Sequence, residues 1–220
     1  MLLLSKIYNV VNLSDLKRNF GKSSLDINSM PANPFELLGL WISEADGMGI
    51  TEPHAMVLST ADETGRPSSR VVLLKEITAD DRLVFFTNYE SRKGKELAEN
   101  PYAALNFFWR EAERQVRIEG IVSKTSKKVS EQYFSSRPRE SNASAIVSPQ
   151  SRVIRGLQEL KKKAEELLSD DEKIALPDFW GGYELKPEMI EFWQGGKDRL
   201  HDRILYLTGK DGWEKVRLAP

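Results

Sequence analysis

The sequence predicts a mainly β, α+β fold: one antiparallel, barrel-like domain with peripheral helices. Short runs rich in β-branched and aromatic residues recur along the 220 residues. Helical patterns are inserted between those runs. No internal repeat, low-complexity tract or interdomain linker interrupts them, so residues 33–220 are expected to form a single domain.

The elements follow in chain order. Residues 1–32 carry Ser, Asn and Asp with little periodicity and are expected to form a flexible arm. Asn33-Pro34-Phe35-Glu36 reads as a helix start, with Asn as cap, Pro in the first turn and Glu three residues after the cap. Leu37, Leu38, Trp41 and Ala45 continue it at helical spacing. Strands are expected at Ala55–Thr60, Arg70–Ile77 and Leu83–Thr87, with turns at Asp62–Gly65 and Thr78–Asp81. Ser91 caps a short helix through Glu99, stopped by Asn100-Pro101. Tyr102–Trp109 and Gln115–Val122 read as strands, and Ser126–Ser136 as a helix ending before Pro138. Val153, Leu157, Leu160, Ala164 and Leu167 trace one face of a charged amphipathic helix. Short strands close the chain at Trp180–Leu185, Met189–Trp193, Ile204–Leu207 and Trp213–Arg217.

Composition narrows the chemistry. There are no cysteines, which excludes disulfides, thiolate metal sites and a Cys nucleophile. With only His54 and His201, no His-based metal centre is expected. The net charge of −1 gives no global field toward nucleic acid or membrane, so neither is an expected partner. Met1-Leu2-Leu3-Leu4 is too short to span a bilayer and makes a poor signal peptide, so a cytoplasmic location is expected. P-loop, dinucleotide and nucleophile-elbow patterns are absent. Acid–base machinery is sparse while anion-binding clusters are several, a pattern suited to an enzyme whose cofactor carries the chemistry.

The densest cluster is Phe192-Trp193-Gln194-Gly195-Gly196-Lys197-Asp198-Arg199-Leu200-His201-Asp202-Arg203. If extended, Arg199, His201 and Arg203 alternate onto one face beside an aromatic wall, an arrangement suited to a planar anion. A solvated face pairing with Asp198 and Asp202 is the plainer alternative. Arg70-Val71-Val72-Leu73-Leu74-Lys75 is either a ring-facing strand tipped by cations or an ordinary core strand. Arg92 and Lys93 stand in the first turn of a helix, where cations oppose the helix dipole; a bound phosphate would reconcile them, and so would solvent. Tyr133, Arg137 and Ser141 form either a second phosphate site or a decorated helix C-terminus. Gln150 and Ser151, in the loop before the long helix, contact a ligand or cap that helix, and Gln115 faces a heterocycle or a neighbouring strand.

Taken in order, these motifs resemble those of the pyridoxine/pyridoxamine 5′-phosphate oxidase family. The matching stretches are Arg70–Lys75, Phe86-Thr87-Asn88 with Ser91-Arg92-Lys93, Glu113–Val116, Tyr133–Arg139, Phe179–Gly182, Phe192–Gly196 with Arg199–Arg203, and the closing Arg217–Pro220. The resemblance runs from about Pro31 to the last residue. It implies an FMN-binding split β-barrel and a homodimer with the flavin at the subunit interface. Flavin phosphate would fall to Arg70, Arg92, Lys93 and Ser151. Phe86, Thr87, Gln115, Gln150, Trp193 and Arg203 would add flavin contacts, and the backbone from Val71 through Val72 and Leu73 to Leu74 would line the isoalloxazine. Lys75, Tyr133, Arg137 and Ser141 would hold the substrate phosphate. Arg199, Leu200 and His201 would hold the pyridine ring, with Arg199 and His201 catalytic through orientation and hydrogen bonding.

The implied reaction oxidises pyridoxamine 5′-phosphate or pyridoxine 5′-phosphate to pyridoxal 5′-phosphate. Hydride passes from C4′ to flavin N5, O2 reoxidises the flavin to give H2O2, and the amine substrate also releases ammonia. No metal is implied. Three departures from the family pattern involve four positions. Lys17 and Phe20 stand where an Arg and a Tyr of a closing lid are typical, Phe86 stands where Tyr is frequent, and Glu52 replaces a common Asp. Two other readings stay open: a split-barrel flavin oxidoreductase acting on another substrate, and a non-catalytic module binding FMN or pyridoxal phosphate.

Overall fold

The structure, a computed structural model, describes residues 20–169, 174–210 and 212–220. Met1–Leu4 and Lys17 lie outside the described residues. Strands β1 (Ala55–Ala61), β2 (Pro67–Leu73), β3 (Glu76–Ile77), β4 (Leu83–Asn88), β5 (Tyr102–Trp109), β6 (Arg114–Lys124), β7 (Trp180–Gln194), β8 (Asp202–Gly209) and β9 (Gly212–Leu218) form one antiparallel sheet. Around it lie helices α1 (Pro34–Gly47), α2 (Arg92–Glu99), α3 (Lys127–Ser136), α4 (Arg139–Val147) and α5 (Gln158–Ser169).

The strand order β2-β1-β5-β6-β7-β4-β3 begins and ends on adjacent pieces of chain, so the sheet curls until it closes. Lys75 N–H, between those pieces, donates to Val84 O at 2.8 Å on β4. β7 gives the barrel its split. Its first half pairs with β4 from Trp180 to Leu185, and its second half pairs with β8 from Met189 to Gln194. Inside lies a continuous core that includes Leu58, Phe85, Phe107, Ile118, Phe192 and Ile204, all fully buried. Helix α1 starts as the sequence predicts: Asn33 accepts from Phe35 N, and Trp41 packs edge-on against Phe192 at 5.1 Å. Burying such large rings dominates the stability of this layer.

Five expectations are corrected. Arg70–Ile77 is not one strand, because the chain leaves β1 at Leu73 and joins β4 at Glu76. The two final-sheet runs split in the sequence at Pro187 are one strand. Pro187 sits where β7 has left β4 and not yet met β8, beside a bulge at Glu119/Gly120, so no ladder bond needs its missing N–H. The sequence pattern does not predict α4: Pro138, which marks the end of α3, is also the cap of a new helix. The amphipathic helix starts at Gln158 and leaves Val153 and Leu157 outside it and exposed. Finally, Arg199 to Arg203 is not extended throughout. Lys197–Arg199 forms a 3₁₀ turn with Asp198 and Arg199 at φ 54° and 64°, so alternation begins only at Asp202.

The described part of the arm, residues 20–32, has no regular structure but is fastened to the barrel. Leu25 N–H donates to Asp202, Arg217 to Leu25 O, Lys215 to Ile27 O and Met30 O, and Tyr206 to Pro31 O. Irregular sequence is compatible with order when partners satisfy the backbone.

Candidate functional site

A cleft of about 660 Å³ opens where β2, β4, α3, α4 and the start of β7 converge. Of the residues singled out in the sequence, Val71, Val72, Leu73, Lys75, Phe86, Thr87, Lys93, Tyr133, Arg137, Ser141 and Gln150 line it. Besides exposed Lys75, two more enclosed cationic groups stand in it, beside an aromatic wall. Phe86 stacks on Tyr133 at 3.9 Å and 16°, and Trp180 lies parallel to both.

The first cationic group forms because Ser91 caps α2 and so turns Lys93 inward. The ammonium is buried and donates to Gln150 Oε1 at 2.9 Å and Thr87 Oγ1 at 3.1 Å. Burial, reinforced by the charge of Arg70 and opposed by Glu96, lowers Lys93 to about 8. Behind it, buried Glu96 receives hydrogen bonds from Thr60 (2.5 Å), Ser68 (2.6 Å), Arg92 (2.8 Å) and Arg70 (3.2 Å). Burial pushes that carboxyl up, but the hydrogen bonds outweigh it and bring it down to about 2. Two guanidiniums therefore pair with this one carboxylate, and the Lys93 ammonium, from the first turn of α2, lies within its field. This surplus of positive charge calls for an anion.

The second group is Arg137 at the exit of α3. Its guanidinium lies 4.6 Å from the Trp180 ring centroid and donates to Asn142 Oδ1 and Ser141 O. Burial lowers its pKa, with Tyr133 pulling the other way.

The remaining sequence-selected residues lie elsewhere. Arg70 and Arg92 back the first group through Glu96, Leu74 is buried in the core, and exposed Ser151 turns the chain after α4 with φ 70°. Gln115, Trp193 and Arg203 form a cross-strand row over β6, β7 and β8. His201 packs at 4.8 Å from Trp193, and Leu200 is exposed beside it. Gly196 N–H donates to His201 Nδ1 at 3.1 Å, so a neutral imidazole carries its proton on Nε2. None of this second cluster lines the cleft, and Trp193 and Trp180 stand at opposite ends of the 15-residue β7. Glu52 is exposed with φ 49°.

Sequence reasoning missed Asn88, Glu140, Ser144, Ala145, Ser148 and Trp180 as cleft residues. Four of them belong to α4 or its C-cap. Pro138 followed by Glu140, a Pro start with an acid in the first turn, was the available signal. Among the described residues, no cluster of His, Asp or Glu could hold a metal ion, and no helix is long and apolar enough to cross a membrane.

The antiparallel sheet, split at β7 and carrying an aromatic cleft with buried cations, places the chain in the class of split-barrel proteins. The comparisons narrow the class. Residues 44–169 match the family described as pyridoxamine 5′-phosphate oxidase, and residues 180–220 match the pyridoxine 5′-phosphate oxidase C-terminal dimerisation region. The pyridoxine/pyridoxamine 5′-phosphate oxidase of Paraburkholderia phymatum is 50% identical over 211 residues, covering 94% of this chain and 99% of that protein. Oxidase 2 of the same name from Hydrogenovibrio crunogenus is 48% identical, covering 96% and 99%. Among solved structures, PhzG from Burkholderia lata, in complex with tetrahydrophenazine-1-carboxylic acid, superposes with a TM-score of 0.84 at 32% identity, covering 90% of this chain and all of that one. The chain belongs to the pyridoxamine 5′-phosphate oxidase family.

Proposed function

We propose that the protein oxidises pyridoxamine 5′-phosphate and pyridoxine 5′-phosphate to pyridoxal 5′-phosphate, using FMN and O2. The observation that carries this reading is the presence of two cationic groups in one aromatic cleft. One suits the phosphate of a flavin and the other the phosphate of a substrate. FMN fits the residues present: buried Lys93, Thr87 and Gln150, backed by Arg70 and Arg92, supply donors and surplus charge, and the β2 edge and Phe86 supply flat walls. When bound, FMN would supply the two-electron redox chemistry that links substrate C4′ to O2.

The chain itself binds and orients. Lys75, Tyr133, Arg137 and Ser141 hold the substrate phosphate. Arg199 and His201 orient the pyridine ring, with the Nε2 proton of His201 as a donor. Because that pair lies outside the cleft of its own chain, we assign each site to two subunits of a homodimer: the cleft of one and the Trp193–Arg203 segment of the other. The C-terminal dimerisation region supports this, as do exposed Val71, Tyr102 and Phe108 on one sheet face.

Anaerobic stopped-flow mixing of FMN-loaded protein with pyridoxamine 5′-phosphate tests the reading. Bleaching of the flavin band, then recovery with pyridoxal 5′-phosphate on admitting air, is the expected result. The similarity to PhzG supports a second reading, oxidation of an unphosphorylated ring acid. Bleaching by such an acid, and by neither B6 phosphate, would select it. A flavin that stays oxidised with all of them would leave a binding module.

A further inference from the structure

Glu113 occupies the turn between β5 and β6, away from the cleft, and is buried with φ 56°. A non-glycine residue in the left-handed region inside a buried turn is held there by its surroundings. Its two polar ends grip different segments. The carboxylate accepts Gly21 N–H at 2.8 Å and Lys22 N–H at 3.1 Å, while Lys22 Nζ donates to the neighbouring Glu111 O at 2.6 Å. The backbone oxygen of Glu113 accepts Gly195 N–H at 2.8 Å and Gln194 Nε2–H at 3.2 Å. One residue thus joins the arm to the Gly195-Gly196 corner.

What that junction holds is the imidazole. Phe20, next to the gripped amides, stands edge-on to both Trp193 and His201 at 5.7 Å. Gly195 makes room for it, since a Cβ there would come within 2.9 Å of the Phe20 ring. Gly196, next in the corner, donates to His201 Nδ1. The ring is fixed on one side by Phe20 and at Nδ1 by Gly196, and both fixtures run back to Glu113.

We propose that Glu113 is a positioning residue: its carboxylate latches the arm against the Gly195-Gly196 corner and so sets the orientation of the His201 ring. The proposal rests on the role of His201 in the proposed function, and its test separates the two. Glu113→Gly removes the carboxylate, keeps the backbone oxygen and relieves the left-handed φ, so the variant is expected to fold. In Glu113→Gln one amide oxygen still accepts. Because the chain has only two histidines, His54 serves as an internal control for ¹H–¹⁵N imidazole spectra of the FMN-loaded protein. Glu113→Gly is expected to shift the His201 ring resonances and leave those of His54 in place. It is also expected to slow flavin reduction at saturating pyridoxamine 5′-phosphate about tenfold with FMN affinity unchanged, with Glu113→Gln intermediate. Unmoved His201 resonances together with a wild-type reduction rate would overturn the proposal. If wild-type protein is not reduced at all, the substrate reading fails, and the His201 resonances alone decide for or against the latch.

Discussion

The cleft and the Trp193–Arg203 segment are built by opposite means. In the cleft, side chains meet side chains on rigid elements: Lys93 is held by Thr87 and Gln150, Tyr133 by Phe86, and Arg137 by Trp180. At the segment, a 3₁₀ turn with two left-handed residues is held through backbone groups and by the arm strapped across it. The first region is preorganised for anions by local helix and strand geometry. The second depends on contacts far away in sequence, and its imidazole lies outside the cleft described above. On the proposed function each is half of a site, and the difference between them matches a division into binding for one and orientation for the other.

The sharpest way to break that division is His201→Ala, expected to slow flavin reduction roughly a hundredfold while FMN stays bound. Normal single-turnover reduction would remove the orienting role. Arg137→Ala comes next. Loss of a charge-assisted phosphate contact is expected to raise KM for either phosphorylated substrate ~30-fold without releasing FMN. An unchanged KM would move the substrate phosphate elsewhere.

Glu96→Gln tests the frame behind the cleft, with an expected loss of about 2 kcal/mol in denaturant unfolding at pH 7. Because folding lowers the Glu96 pKa from 4.5 to about 2, its stabilisation is full above the higher value and is lost as pH falls to the lower. The gap between variant and wild type should therefore close in acid. The smallest effect at neutral pH is on Lys93, whose pKa folding lowers from 10.5 to about 8. FMN affinity of the apoprotein should weaken by up to about tenfold per pH unit above that value, while apoprotein stability rises over the same window. Titrating FMN into Lys93→Met across this range should give a flat profile; a slope equal to wild type would dissociate the pH effect from Lys93.

The two regions also differ in how far the sequence disclosed them. Cleft residues carried local signals: Ser91 as a cap, Leu83–Thr87 as a strand, and Tyr133 and Arg137 at a helix end. What was hidden there was α4, because Pro138 both ends one helix and begins the next. The His201 segment looked like an alternating strand, since local pattern cannot reveal positive φ at Asp198 and Arg199. Its stabilising partners, Phe20 and Glu113, come from distant parts of the chain. Likewise, a strand crossing Pro187 is readable only once β4 and β8 are known to exchange there. Closure of the barrel across Leu74-Lys75 is a property of sheet order, which no single stretch encodes.

The most direct test of the shared site mixes the two disabled variants. Arg137→Ala and His201→Ala protein, each inactive at low substrate, are unfolded together, refolded with FMN and assayed for pyridoxal 5′-phosphate formation. If cleft and imidazole come from different subunits, each mixed dimer has one site free of both lesions, and an equimolar mixture recovers about a quarter of wild-type activity. If both come from one chain, every site keeps a lesion, and recovery no greater than the sum of the separate variants would contradict the account.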